Sequence, residues 1–184
     1  MLMDQVKLET MRKWLIIISV LTVLDQITKR IAEHNLNFAE PVSFIPLFNF
    51  MLVYNEGAAF SFLSQAGGWQ RWFFIVLAIA VCAYIFNWLR KLKSSEVLLG
   101  ISLSLILSGA LGNLIDRIIY GKVTDFIDFF YTTSEKCIYF FFPLQNGTCH
   151  WPTFNIADIL ISIGAVLLLF QIILEKPGSE PNTN

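Results

Sequence analysis

Four apolar runs dominate the chain, at about residues 14–31, 69–89, 97–115 and 156–174. Each approaches the ~20 residues a helix needs to cross the hydrocarbon core of a bilayer. The pattern predicts four transmembrane helices, with polarity confined to segments 32–68 and 117–155 and to a tail. In the first segment, Phe48 to Tyr54 reads as a strand and Asn55-Glu56-Gly57 as its turn. The apolar stretch Ala58 to Leu63 that follows is suited to lie in the membrane surface. The second segment is longer and rich in aromatics. The tail 177–184 is polar, contains two prolines, and is expected to be disordered.

The first run has the opening of a signal peptide, since Arg12 and Lys13 precede it. No small-residue cleavage site follows; Asp25, Gln26, Lys29 and Arg30 stand there instead, so a retained anchor helix is expected. Basic residues set the orientation. Lys7, Arg12 and Lys13 precede the first run, Arg90, Lys91 and Lys93 fill the short link between the second and third, and Lys176 follows the fourth. The positive-inside rule then puts both termini and that link in the cytoplasm, and segments 32–68 and 117–155 on the far side of the membrane. Lys29, Arg30, Arg71, Arg117, Lys122 and Lys136 fall on the far side, so the compact Arg90–Lys93 cluster carries the assignment.

Composition agrees with a single membrane-embedded domain spanning residues 1–184. The chain is 55% hydrophobic and 15% charged, with a mean hydropathy of +0.61, too apolar for an ordinary soluble domain. A net charge of −1 without a basic block argues against a nucleic-acid partner. Cys82, Cys137 and Cys149 form no CxxC and no metal-ligand spacing, and HExxH is absent, so no metal or other cofactor is expected. Small residues recur every fourth position on the third helix, at Gly100, Ser104, Ser108 and Gly112. They form one stripe that lets neighbouring helices approach closely.

That stripe ends in polar residues: Asn113, Asp116 and Arg117, then Asp125 and Asp128. Phe154-Asn-Ile-Ala-Asp158 opens the last run. Ionisable groups beside membrane-length apolar runs are functional candidates. Asp125 and Asp158 are the preferred catalytic pair. Both would lie at the outer ends of helices, near water, where two carboxylates sharing one proton can hydrolyse a peptide. The residues alone do not choose this pair over other acid pairs. Each polar residue also has a structural reading. Asp25 and Lys29 can pair at i, i+4. Asp116 and Arg117 do not face one another and each needs another partner. Asn155 can cap the last helix. Asp128 is expected to be a solvated acid.

Gly109-Ala-Leu-Gly-Asn-Leu-Ile-Asp-Arg117, Gly121-Lys-Val-Thr-Asp-Phe126 and Phe154-Asn-Ile-Ala-Asp158 resemble the signature blocks of the lipoprotein signal peptidase (signal peptidase II) family. Asp25-Gln-Ile-Thr-Lys29 and Asn55-Glu-Gly-Ala-Ala-Phe-Ser61 are similar to its two earlier blocks. The resemblance runs in order over about residues 14–174. It implies a membrane α-helical fold, a four-helix bundle with a small periplasmic β-sheet. It also implies an aspartyl endopeptidase of the bacterial inner membrane, with its active site at the periplasmic face. Such enzymes cut diacylglyceryl-modified prolipoproteins just before the lipid-bearing cysteine, with membrane lipid around them and no cofactor. Asp125 and Asp158 match the catalytic aspartates. Asn55, Gly57, Asn113, Arg117 and Asn155 match residues around the substrate pocket; Asp25, Lys29 and Asp116 match supporting positions. A monomer is expected.

Residues 131–150 are longer than the family pattern and carry Cys137 and Cys149. A bridge there would close a loop of roughly 13 residues, worth about 3 kcal/mol on the chain-entropy account. Against it, a two-residue turn at Asn146-Gly147 would set Cys149 opposite Leu144, so the bridge is feasible but not required. With Tyr139 to Phe142 inside the loop, the expectation is either a stapled flap on the bilayer or a passive insertion. The rival from another class is a small proton-coupled carrier. Repeated halves would favour it, and none are found. GxSG and GxGD, the marks of other intramembrane proteases, are missing.

Overall fold

The computed structural model describes residues 2–57, 68–134, 136–138, 141–144 and 147–174, without the side chains of 2–8 and 144. The stretch Ala58–Leu63 expected at the membrane surface and the tail 177–184 lie outside the described residues.

Helix α1 (Leu2–Asn35) is followed by strands β1 (Val42–Ile45) and β2 (Phe48–Asn55). Helices α2 (Trp69–Leu89) and α3 (Val97–Ile119) come next, then β3 (Val123–Thr132), β4 (Phe142–Leu144) and β5 (Thr148–His150). Helix α4 (Ile156–Leu174) closes the described chain. The strands form one antiparallel sheet in the order β1-β2-β3-β5-β4.

Among the described residues three helices, α2, α3 and α4, are long and apolar enough to cross a membrane. Helix α1 is not among them, because Asp25, Lys29 and Arg30 interrupt its apolar stretch. Two helices run past the expected limits. α1 covers 2–35 rather than 14–31, and α3 reaches Ile119 rather than stopping at Ile115. The extension of α3 is possible because Asp116 and Arg117, which end the apolar run, both find partners inside the protein.

The core has two apolar parts. Trp14 and Ile18 of α1, Ile75, Cys82, Ile85 and Leu89 of α2, and Leu99, Leu103, Leu107 and Leu114 of α3 pack among the helices. Ala32, Phe126 and Ile127 anchor a smaller cluster that joins the sheet to α1 and α4 through Phe48, Phe50, Phe154, Ile156 and Ile159. The buried polar residues gather where the helix ends meet the sheet.

The small-residue stripe does what its spacing predicts. A methyl group on Gly100 would fall 2.2 Å from the Trp14 ring, and one on Gly112 would fall 2.4 Å from the Asp25 carboxylate. Ser104 and Ser108 between them are wholly buried and bond back to carbonyls one turn earlier. Gly109 sets the approach of α4, since its Cβ would meet the Ala157 carbonyl oxygen at 2.2 Å. The start of α4, which carries Asp158, therefore sits directly against α3.

Arg71 fastens the other side of α3. Its Nε and Nη2 donate to the carbonyls of Arg117 and Ile118 at 2.9 Å each. A cation on the last carbonyls of a helix satisfies acceptors that have no partner within it. The start of α2 is thereby held beside the end of α3, and the Arg90–Lys93 link lies at the opposite end of both helices.

Candidate active site

Asp125 is on β3, opposite Val53 of β2, and is 2% exposed. Asp158 stands in the first turn of α4. Two asparagines connect them. Asn155 donates from Nδ2 to Asp125 Oδ1 at 2.6 Å, and its Oδ1 accepts the backbone N–H of Asp158 at 3.0 Å. Asp158 in return accepts the backbone N–H of Asn155 at 3.2 Å, a reciprocal cap of the kind that starts helices. Asn113 donates to Asp158 Oδ1 at 2.8 Å. The cap expected at Asn155 is thus present, and the same side chain also binds a carboxylate.

Both aspartates line a cavity of about 740 Å³. Asn55, Asn113 and Arg117 share its polar part; Val53, Val123, Phe142, Trp151 and Ile159 belong to its apolar wall. Asn55 holds the end of β2 in a tight turn by accepting the Gly57 N–H at 2.9 Å, and its side chain also bonds to Asp125. The Gly57 carbonyl accepts from Arg117 Nη2 at 2.9 Å. Arg117 lies over the Phe74 ring, 5.3 Å from its centroid, so its charge stays within the pocket.

Burial pushes the Asp125 carboxyl up to about 8, and the negative charge of Asp158 adds to the rise. Hydrogen bonds from Asn155 and Asn55 and the charge of Lys29 oppose it and do not cancel it. Burial and the neighbouring carboxylate thus favour one proton held by the pair, which titrates as a unit.

The supporting positions form a closed ion cluster beneath the pair. Lys29 is wholly buried, and its Nζ has three acceptors at 2.9 Å: Asp25 Oδ2, Asp116 Oδ2 and Asn113 Oδ1. An ammonium has three protons, so this one is saturated. Asp25 accepts the Ala157 N–H of α4 at 2.9 Å, and Asp116 accepts the Thr124 N–H of β3 at 3.2 Å. The intrahelical Asp25–Lys29 pair read from the sequence is present, and it also spans α1, α3, α4 and β3. Gln26 adds bonds to Asp25, Asp116 and the Gly112 carbonyl.

Asp128 requires a correction. It was expected to be solvated and is wholly buried. It meets His150 Nδ1 at 2.8 Å and accepts from Asn49 Nδ2 at 3.2 Å. The opposite imidazole nitrogen, Nε2, lies 3.0 Å from Thr148 Oγ1. Asp128 is three positions past Asp125 on one strand, an odd offset, so the two point to opposite faces. None of Thr148, His150 and Asp128 lines the cavity; together they tie β5 to β3. Local sequence could not reveal this, because the cover over Asp128 comes from β5, twenty residues on. The one signal available was that His150, one of two histidines, sits two residues from Thr148, on the same strand face.

Cys137 and Cys149 are joined, with Cα atoms 5.5 Å apart. In the β4–β5 hairpin Cys149 stands opposite Pro143 rather than Leu144, and Leu144 faces Thr148. Among the described residues no three His, Cys, Asp or Glu side chains are grouped as metal ligands would be.

Comparison with known proteins gives a consistent result. The sequence profile described as Signal peptidase (SPase) II matches residues 17–174. The lipoprotein signal peptidase of Hydrogenovibrio crunogenus is 48% identical over 167 residues, 91% of this chain and 87% of that protein. That of Acinetobacter baumannii is 48% identical over 164 residues, 89% and 85% of the two chains. A bacterial membrane enzyme solved by the in meso method superposes with a TM-score of 0.70 at 26% identity, covering 91% of this chain and 94% of that one. A match of this length, joined to two carboxylates at one cavity beside membrane-length helices, places the chain in the signal peptidase II family of aspartic peptidases.

Proposed function

We propose that the protein removes the signal peptide from diacylglyceryl-modified prolipoproteins, cutting just before the lipid-bearing cysteine. Asp125 and Asp158 share one proton and activate a water. The observation that carries this reading is their convergence on one cavity, at the junction of a membrane-length helix and the sheet. The protonated carboxyl polarises the scissile carbonyl while the ionised one takes a proton from the attacking water. The proton returns to the leaving amine as the bond breaks. Asn113 and Asn155 keep the two carboxyls in register, and Arg117 and Asn55 face the substrate across the cavity.

The direct test is cleavage of a lipid-modified prolipoprotein in detergent, followed by gel shift. With Asp125 titrating near 8, the rate should fall as pH rises through about 8. Loss of the shared proton leaves two carboxylates and no acid. A rate that keeps climbing well above that pH would exclude a proton-sharing pair.

The same reading gives four transmembrane spans, α1 included. The charges of α1 do not bar it from the bilayer, because Asp25 and Lys29 are wholly buried against α3 and α4. The basic link at Arg90–Lys93 then faces the cytoplasm and the sheet faces the periplasm of the bacterial inner membrane. A periplasm-active reporter fused after Lys93 should be silent, and one fused after Gln145 active. The reverse pattern would put the aspartates on the wrong side for this substrate.

A further inference from the structure

The β4–β5 hairpin reaches the cavity that Asp125 and Asp158 line. Phe142 of β4 and Trp151, the residue after β5, both line it. Their placement traces back to the bridge through a short series of contacts. Cys149 is buried on β5, opposite Tyr131 of β3, and the disulfide draws Cys137 to it. The next residue, Ile138, donates its N–H to the Tyr131 hydroxyl at 2.6 Å, and its carbonyl accepts the Phe141 N–H at 3.0 Å. The Phe141 ring packs edge-on against Trp151, with centroids 5.4 Å apart, and against Tyr131, at 5.0 Å. Trp151 donates its own N–H to the Phe129 carbonyl at 2.7 Å. The Asp128–His150–Thr148 relay holds β5 to the strand that carries Asp125.

The cavity has two ends. Ile159, Ile161, Ser162 and Ile163 follow α4, a membrane-length helix, away from the aspartates. Phe142, Trp151 and Pro152 stand on the sheet side. A substrate whose scissile bond lies at Asp125 and Asp158, with its signal segment among the helices, presents its mature side to the sheet end, where Phe142 and Trp151 stand with Val53, Tyr54 and Val123. We infer that Phe142 and Trp151 are specificity-determining residues that read the first residues on the mature side of the cut and favour an apolar or aromatic side chain. The Cys137–Cys149 bridge is the device that holds them in place. Aromatic faces gain contact from an apolar side chain and desolvate a carboxylate without offering it a partner. The inference rests on the proposed cleavage reaction.

The test uses two lipid-modified prolipopeptides with the same signal segment and modified cysteine, one carrying leucine and the other aspartate at the second mature residue. Wild-type protein should prefer the leucine substrate by about tenfold in kcat/KM, a difference of the size one pocket contact supplies. Phe142→Ala should bring the two within about twofold, chiefly by raising KM for the leucine peptide. The Cys137→Ser/Cys149→Ser variant should lose the preference in the same way, as should folded wild-type protein treated with a reductant. The reductant and Phe142→Ala decide the matter if the double serine variant does not fold. A wild type with no preference, or a preference that survives both Phe142→Ala and reduction, would overturn the inference. Failure of the wild type to cut either peptide would instead overturn the reaction on which it rests.

Discussion

Asp125→Asn and Asp158→Asn should each leave a folded protein that binds its substrate and turns it over at least ~10⁴-fold more slowly. The amide retains the shape of the carboxyl and cannot pass a proton, so the loss falls on kcat. Asn155 can still donate to the amide oxygen at position 125, and burial favours the neutral form of Asp125, so a neutral replacement there costs little in folding. The double variant should be scarcely worse than either single one, because members of one catalytic unit fail together. Steady-state cleavage of a lipid-modified prolipoprotein measures this, with substrate binding followed separately. Near-normal turnover by either single variant would show that the chemistry belongs to other carboxylates.

Removal of the Lys29 charge should have the largest effect on stability. Lys29→Met keeps a long side chain and leaves Asp25 and Asp116, both wholly buried, without the cation at 2.9 Å from each. Breaking a buried ion pair by deleting one partner typically costs about 3–5 kcal/mol. Arg30 is the more distant partner. Its Nη2 is 3.5 Å from Asp116, and Nη1 is engaged with Glu33. The loss should appear as a lower unfolding midpoint in detergent, and Asp25→Asn in the Lys29→Met background should recover part of it by removing one stranded charge. Asn113 loses the same ammonium, so the remaining folded protein should also cleave more slowly. A Lys29→Met protein as stable as the parent would overturn this account of the cluster.

The hydrophobic runs determined by themselves where the helices lie. The starts and ends of α2 and α4 coincide with the runs, because the length and composition that allow a bilayer crossing are local properties. The stripe from Gly100 to Gly112 likewise predicted a close helix contact, since residues four apart share a face whatever the neighbour is. The family blocks named the polar residues; Asn55, Asn113, Arg117, Asp125 and Asp158 line one cavity, and Asp25, Lys29 and Asp116 form the buried cluster beside it.

What the sequence did not disclose was which groups face each other across elements far apart in the chain. Strand β3 was not recognised as a strand. It is buried on both faces from Val123 to Asp128, so the alternation that marks a half-buried strand is missing. Asp128 looked like a solvated acid for the same reason: its cover, His150 and Asn49, arrives from β5 and β2. Lys29 read as one half of an i, i+4 pair, and only the packing of α1 on α3 and α4 supplied its other two acceptors. The hairpin signal set Cys149 opposite Leu144 and left the bridge open; the fold sets Cys149 opposite Pro143 and joins it to Cys137. Periodicity and spacing are set within a segment, whereas the burial of a charge depends on what packs over it. The helices were therefore legible from the chain, and the protonation of Asp125 was decided by the fold.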